Sequence, residues 1–270
     1  MRGVMIPPLH GWGYLPSLAS GSRFTTAAQA IFNAATTQPT QARKIIINNL
    51  VVALQVAGIW NSLDLLYVLA AADSQIARLN WVSPATFTAA EVSAPTFAID
   101  RGYTGDGAAS RLNTNWTPST NGVNFVQDNA SMWVWSRTTG TEAVSCAGNN
   151  SSTIHCMINP RSAGNTVNLI RINDGTNGTA GANTDGTGFY GVQRTSAAAK
   201  RAFRNGVQSG ADIAQASTGV ANLAQWICAA NSSQFSTRQM AAAAWGSGLA
   251  GKELAFFNAM NAYMTAVGAA

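Results

Sequence analysis

Charge is scarce in this chain. Only 10% of its 270 residues are Asp, Glu, Lys or Arg, against roughly 25% in an average soluble domain. Of the residue types that carry most acid–base catalysis there are three glutamates, Glu91, Glu142 and Glu253, and two histidines, His10 and His155. A sandwich-type glycosidase needs two carboxylates close together, one to protonate the leaving oxygen and one to attack or to activate water. Here the glutamates stand far apart and no Glu-x-Asp-x-Glu arrangement occurs. The nearest acidic pairs, Asp100 with Asp106 and Asp174 with Asp185, lie in turn-rich sequence. Such residues read as solvated turns, with calcium ligation through carboxylate and carbonyl oxygens the lesser alternative. His10 sits among prolines, and Gly246-Ser-Gly248 lacks the spacing of a nucleophile elbow. His155, between Ile154 and Cys156, reads as a packed strand residue. No catalytic set is expected.

Cysteine is nearly absent as well. Cys146, Cys156 and Cys228 cannot all pair, and no C-x-x-C or Cys/His spacing for zinc surrounds them. Free buried thiols follow, with no metal and no cofactor. Lysine is limited to three residues, so the net charge of +5 comes from arginine. The basic residues scatter except for Arg194, Lys200, Arg201 and Arg204, a group too short for a nucleic-acid stripe, and it reads as a solvated strand face. Long apolar runs are missing too. Asn48, Asn49, Gln55 and Gly58 interrupt Ile45–Trp60, which excludes a membrane span of about 20 apolar residues. No apolar stretch precedes Pro7 and Pro8, so no secretory signal is expected, and a protein acting outside a cell would then leave by lysis within a particle. Gly186-Thr-Gly188-Phe-Tyr-Gly191 matches a dinucleotide fingerprint by letter, but turn formers precede it where a buried strand is required.

What is present is a polar, uncharged surface over a chain that is 47% hydrophobic, enough for a substantial core. Low charge of this kind fits a surface covered by neighbouring subunits, in a homo-oligomer or a larger assembly. Residues 1–22 mix proline and glycine with Trp12, Tyr14, Leu15 and Leu18, and read as an extended anchoring tail. Residues 23–79 read as helical: Thr26–Ala35, a segment opened by Pro39 and Thr40 that runs through Ala57 to a stop at Gly58, and a third helix over Trp60–Ile76. The second of these is apolar on nearly every side and must be covered on more than one. From residue 80 the texture becomes that of an antiparallel sandwich, with short runs rich in Thr, Val, Phe and Trp punctuated by Gly, Asn and Asp. Ala130–Ser136 carries large groups on both faces and should be a central strand. Asn205-Gly206 should close a tight hairpin. Asn173–Gly191 reads as a long exposed loop, and Gly251–Ala266 as a helix with Leu254, Phe257, Asn261 and Met264 near one face.

Several segments together resemble a known group. Trp60-Asn-Ser-Leu-Asp-Leu-Leu-Tyr-Val-Leu-Ala-Ala-Ala-Asp73 with Ala77-Arg-Leu-Asn-Trp81, then Thr96-Phe-Ala-Ile-Asp-Arg-Gly-Tyr-Thr-Gly-Asp-Gly107, Leu112-Asn-Thr-Asn-Trp-Thr-Pro118, Phe203-Arg-Asn-Gly206 and Trp245-Gly-Ser-Gly-Leu249 are similar to phage and prophage virion-associated proteins with a concanavalin-like or laminin-G-like jelly roll. The likeness runs from about Thr37 onward. It implies a concanavalin-like antiparallel β-sandwich over residues 80–270 with an N-terminal helical hairpin and a C-terminal helix. It also implies a structural or adhesive part of a virion, in a tail fibre, tail tip or decoration protein, whose partners are other virion proteins and host-surface glycan. Its motifs are helix, turn and core residues, so it carries over no functional residues. The alternative from another class is a polysaccharide-degrading enzyme on the same sandwich. The candidate ligand-binding residues are Asp174, Asn177, Asp185, Tyr190 and Trp116, and the candidate anchoring residues are Trp12, Tyr14, Leu15 and Leu18.

Overall fold

A computed structural model describes residues 24–150 and 153–270. The four anchoring candidates Trp12, Tyr14, Leu15 and Leu18 lie outside the described residues. Two helices open the described chain where capping residues place them. The Thr25 hydroxyl accepts from the Ala28 N–H at the start of Thr26–Ala34, and Thr40 does the same for Arg43 at the start of Gln41–Val56. The second helix stops before Gly58, whose φ of +65° suits glycine. The Thr25 N–H also donates to Asn48 Oδ1 at 2.8 Å, fastening the two helices together.

The third expected helix does not form. Trp60–Ser62 makes one 3₁₀ turn, Leu63–Val68 is a β-strand, and a short helix, Ser74–Arg78, follows under an Asp73 cap. Leu63–Val68 pairs antiparallel with Gln239–Gly246, Leu65 opposite Trp245 and Val68 opposite Ala242. The Asp64 carboxylate accepts the backbone N–H groups of Val123, Asn124 and Phe125 and pins the strand from the side. Residues 63–79 therefore belong partly to the sandwich rather than to a helical lead-in.

The protein is an antiparallel jelly-roll β-sandwich with helices layered on one sheet. Across the larger sheet the order is Val207–Gln208, Ala199–Arg204, Gly188–Arg194, Ala130–Ser136, Gln239–Gly246, Gly102–Thr104 and Thr96–Ala98. Leu63–Val68 shares the outer edge of Gln239–Gly246 with Gly102–Thr104. The second sheet runs Ala90–Val92, Arg111–Asn113, Trp226–Ile227, Ala147–Asn150, His155–Asn159 and Asn168–Asp174. Ala130–Ser136 is the central strand its sequence announces, with every residue buried. Successive side chains of a strand point to opposite faces. Met132 faces the second sheet, its Sδ 3.6 Å from Cys156 Sγ, while Trp133 and Trp135 face the helical layer. The Asn205-Gly206 hairpin closes as expected, with φ of +50° and +78°.

The closing helix, Glu253–Ala266, lies on the aromatic face of the larger sheet. Phe256 meets the Trp133 ring edge-on at 5.6 Å and the Phe189 ring at 4.9 Å. Its buried face is Phe256, Ala259, Met260, Tyr263 and Met264, whereas Leu254 is 52% exposed. Of the expected face of Leu254, Phe257, Asn261 and Met264, only Met264 belongs to the buried one; the rest is corrected. Burial on a helix follows the surface it lies on, and here the Trp133–Phe189 floor selects Phe256. Helix Gln41–Val56 packs beside this one, burying Ile47, Leu50, Val51 and Leu54. Thr26–Ala34 packs against Gln41–Val56 as well, so that helix is covered on more than one side, while among the described residues Ile45, Val52 and Val56 stay exposed.

Candidate functional site

At one end of the larger sheet the ends of Ala130–Ser136 and Gly188–Arg194, the hairpin turn and the closing helix surround a cavity of about 290 Å³. Its wall includes Trp135, Arg137, Asp185, Arg204, Asn205, Phe257 and Asn261. Local sequence explains how each is held. Asp185 turns the chain into the strand by accepting the Thr187 N–H at 3.0 Å and the Thr187 hydroxyl at 2.6 Å. Gly188 follows with φ of +119°, and a Cβ there would meet Asn205 Oδ1 at 2.6 Å, so only glycine allows the turn to approach the strand. Asn205 Oδ1 accepts the Phe189 N–H at 2.8 Å, which fixes the tip of the hairpin against the strand start. The Trp135 and Phe257 rings stack at 6.1 Å with an interplanar angle of 12° and form an apolar wall.

Two guanidinium groups enter this space. Arg137 donates from Nε to the Ala269 carbonyl at 2.8 Å and from Nη1 to Gln239 Oε1 at 2.9 Å. Burial, helped by the like charge of Arg101, lowers its pKa from the ordinary arginine value. Arg204 Nη2 reaches Asp185 Oδ2 at 3.5 Å and the Thr187 carbonyl at 3.3 Å, both long contacts, and its guanidinium lies 5.8 Å from the Tyr190 ring centre. Burial pulls the Asp185 pKa upward, but the hydrogen bonds from Thr187 and the charges of Arg204 and Arg161 outweigh it. The net shift is downward, and the group stays a carboxylate near neutral pH.

The five ligand-binding candidates from the sequence are not brought together. Asp185 lines the cavity. Tyr190 lies beneath it, fully buried, donating its hydroxyl to the Asp185 carbonyl at 2.6 Å. Asn177 is exposed and does not line the cavity. Trp116 is 1% exposed and packs edge-on against Phe125 at 5.8 Å, so it is core rather than ligand platform. Asp174 is wholly buried, 3.1 Å from Arg194 Nη2 and 2.7 Å from Lys200 Nζ. That contradicts the exposed-loop reading at Asn173 and Asp174, though Gly175, Thr176, Asn177, Thr179, Ala182 and Thr184 are exposed, and it contradicts the solvated reading of Arg194 and Lys200. Arg201, paired with Asp212 at 2.8 Å and 41% exposed, is the solvated member of that group. The loop itself is tied down, since buried Asn183 donates to the Pro160 carbonyl at 2.6 Å and to the Tyr190 hydroxyl at 2.9 Å. Sequence reasoning missed Trp135, Arg137, Arg204, Asn205, Phe257 and Asn261 as site residues. The one usable local signal was the Asn205-Gly206 turn, which fixes where the hairpin carrying Arg204 ends.

Among the described residues no three His, Cys, Asp or Glu side chains converge as a metal site, and no helix is long and apolar enough to cross a membrane. All three cysteines are free and buried, as their spacing implies.

Fold and cavity together define a jelly-roll sandwich domain with a lateral pocket roofed by its closing helix. Among solved structures, the binding domain of botulinum neurotoxin serotype D is similar over 76% of this chain and 52% of its own length, at 10% identity and a TM-score of 0.50. A sialidase of Trypanosoma rangeli matches at 6% identity over 81% of this chain and 40% of its own, with a TM-score of 0.49. Domain 4 of an extracellular GH43 arabinanase from Geobacillus stearothermophilus matches at 14% identity over 63% and 81%, with a TM-score of 0.40. The chain thus spans about half the length of the toxin domain or less than half that of the sialidase. No protein-family model and no curated protein sequence matches it.

Proposed function

We propose that this chain is a non-catalytic glycan-binding domain, and that it serves as an adhesive component of a bacteriophage particle. The pocket carries the first half of the reading. An apolar ring wall from Phe257 and Trp135 beside Arg137, Arg204, Asn205 and Asn261 complements what a sugar ring presents, a C–H face and a rim of hydrogen-bonding groups. The same pocket has one acidic side chain, Asp185, already engaged by Thr187 and Arg204, whereas hydrolysis of a glycosidic bond asks for two. Asp106, Asp185 and Asp212 are each held below the ordinary carboxylate range, the opposite of what a general acid requires. The second half rests on the sequence resemblance to phage virion-associated proteins and on the sparse charge.

Glycan binding is tested by exposing the protein to an immobilised set of bacterial surface oligosaccharides and then measuring chain length. Retention without new reducing ends or unsaturated products supports the reading, and glycan cleavage replaces it with the enzymatic alternative. Mass spectrometry of purified particles tests the second half. Stoichiometric presence is expected, and absence from particles removes it. Deleting residues 1–22, which carry Trp12, Tyr14, Leu15 and Leu18, should leave a folded domain that no longer joins particles. Normal incorporation of the truncated chain would move the anchor elsewhere.

A further inference from the structure

We propose that the ligand of this pocket carries a carboxylate, an acidic glycan docked on the guanidinium group of Arg204 with Nη2 of Arg137 beside it. The inference rests on the glycan-binding reading above and names the class of glycan.

It follows from which hydrogen-bonding groups in the pocket are already used. Arg204 Nε is buried without a partner, and the group's two polar contacts, at 3.3 and 3.5 Å, both come from Nη2. Arg137 uses Nε and Nη1 on Ala269 and Gln239, which leaves Nη2. Asn205 spends its side-chain oxygen on the Phe189 N–H and keeps its amide donors. The Asn261 amide makes no hydrogen bond among the described residues. Ser136 accepts from the Thr138 N–H at 3.4 Å and has no acceptor for its own hydroxyl among them. Both Asp185 oxygens are engaged, by Thr187 and in one case by Arg204 as well, so the acceptors left in the wall are Asn261 Oδ1 and the oxygens of Ala270. Unspent capacity here is therefore mostly donor capacity, and a ligand that satisfies it must be rich in acceptors.

Charge points the same way. Two guanidinium groups face a single acidic side chain, Asp185, which is long-paired to Arg204; Ala270 also lines the pocket, and among the described residues no carboxylate lies within 4 Å of Arg137. Arg101 adds a further like charge to the Arg137 environment, so an anion entering the pocket relieves a repulsion that is already there. A neutral sugar presents hydroxyls that donate as much as they accept and leaves this excess unmatched. A carboxylate on a sugar ring accepts from a guanidinium fork in two parallel bonds, while the ring's C–H face can lie along Phe257.

The test compares an acidic oligosaccharide with its own neutral form. From an immobilised set containing hexuronic-acid, nonulosonic-acid and neutral oligosaccharides, the tightest binder is titrated calorimetrically before and after chemical reduction of its carboxyl groups. The tightest binder should be acidic, and reduction should weaken it at least about tenfold. Arg204→Ala should reproduce that loss, and Arg204→Lys, which keeps the charge without the fork, should recover part of it. Equal affinity before and after reduction, or a neutral tightest binder, overturns the carboxylate while leaving glycan binding intact. Binding to no member of the set removes the glycan-binding reading itself. Because the decisive comparison alters the ligand, it does not depend on how well the Arg204 variants fold.

Discussion

Asp174 is a wholly buried counter-ion, 3.1 Å from Arg194 Nη2 and 2.7 Å from Lys200 Nζ. Asp174-Gly175 has the letters of a turn, but the partners that bury it, Arg194 and Lys200, stand 20 and 26 residues further on, and no local pattern announces them. Arg194 also donates to the carbonyls of Ile172, Ala197 and Gln215, so the cluster stitches strand Asn168–Asp174 to the segments beyond the neighbouring sheet. Removing one member strands the others. Asp174→Asn should cost about 3–5 kcal/mol in urea unfolding, because it leaves buried cations uncompensated. His155 borders the same cluster, its Nδ1 2.7 Å from Arg171 Nη1. Burial, then the positive charge of Arg171, lowers its pKa from 6.5, with Asp174 pulling up and Lys200 pushing down. Below pH 6.5 the unfolded chain binds a proton that the folded one resists, so this contribution to stability is present above pH 6.5 and lost on acidification. The urea midpoint should fall between pH 7.5 and 5.5, and His155→Gln should flatten that fall. Three cysteines cannot all pair, and all three are free and buried. Burial pushes the Cys146 thiol up to about 12 and raises Cys156 and Cys228 too. A thiol reagent should therefore label none of them in the native protein and all three after denaturation.

Burial on both faces hides some elements but not all: Ala130–Ser136 is wholly buried and still legible from its alternating large side chains, whereas Leu63–Val68 is not. Helix Gln41–Val56 keeps an exposed side and a capping threonine, and its bounds were visible in sequence. Leu63–Val68 is buried at five of six positions, so it shows neither the two-residue alternation of a half-covered strand nor a helix's polar stripe. The pocket was harder still, since it forms where a strand end, a hairpin turn and a helix meet, and Trp135 and Phe257 each look like ordinary core letters. The closing helix gives the element scale its sharpest test. Phe256 touches Trp133 and Phe189 and is fully buried, so Phe256→Ala should cost about 3–5 kcal/mol, read from the denaturant midpoint. Gly191 tests the same layer from below, because a Cβ there would stand 2.2 Å from the Trp133 ring. Gly191→Ala should destabilise by about 1–3 kcal/mol through overpacking. By contrast, Val56 is 84% exposed, and Val56→Lys should change stability by no more than about 0.5 kcal/mol.

At the scale of the whole molecule, three of the larger sheet's strand pairings pass through one late segment. Gln239–Gly246 pairs with Ala130–Ser136 along one edge and with both Leu63–Val68 and Gly102–Thr104 along the other. These partners are separated from it by roughly a hundred residues or more, the kind of long-range closure that places all-β domains at folding times of milliseconds to seconds. Time of synthesis then enters as a constraint. While the ribosome is still making residues before 239, Leu63–Val68 has no lateral neighbour and Ala130–Ser136 has only half of its own, so apolar strand edges wait unpaired. A nascent chain arrested at residue 230 should be cut readily by protease. One carried past residue 270 on a long flexible extension should resist, with the onset of protection marking the moment the last strand slides into its gap.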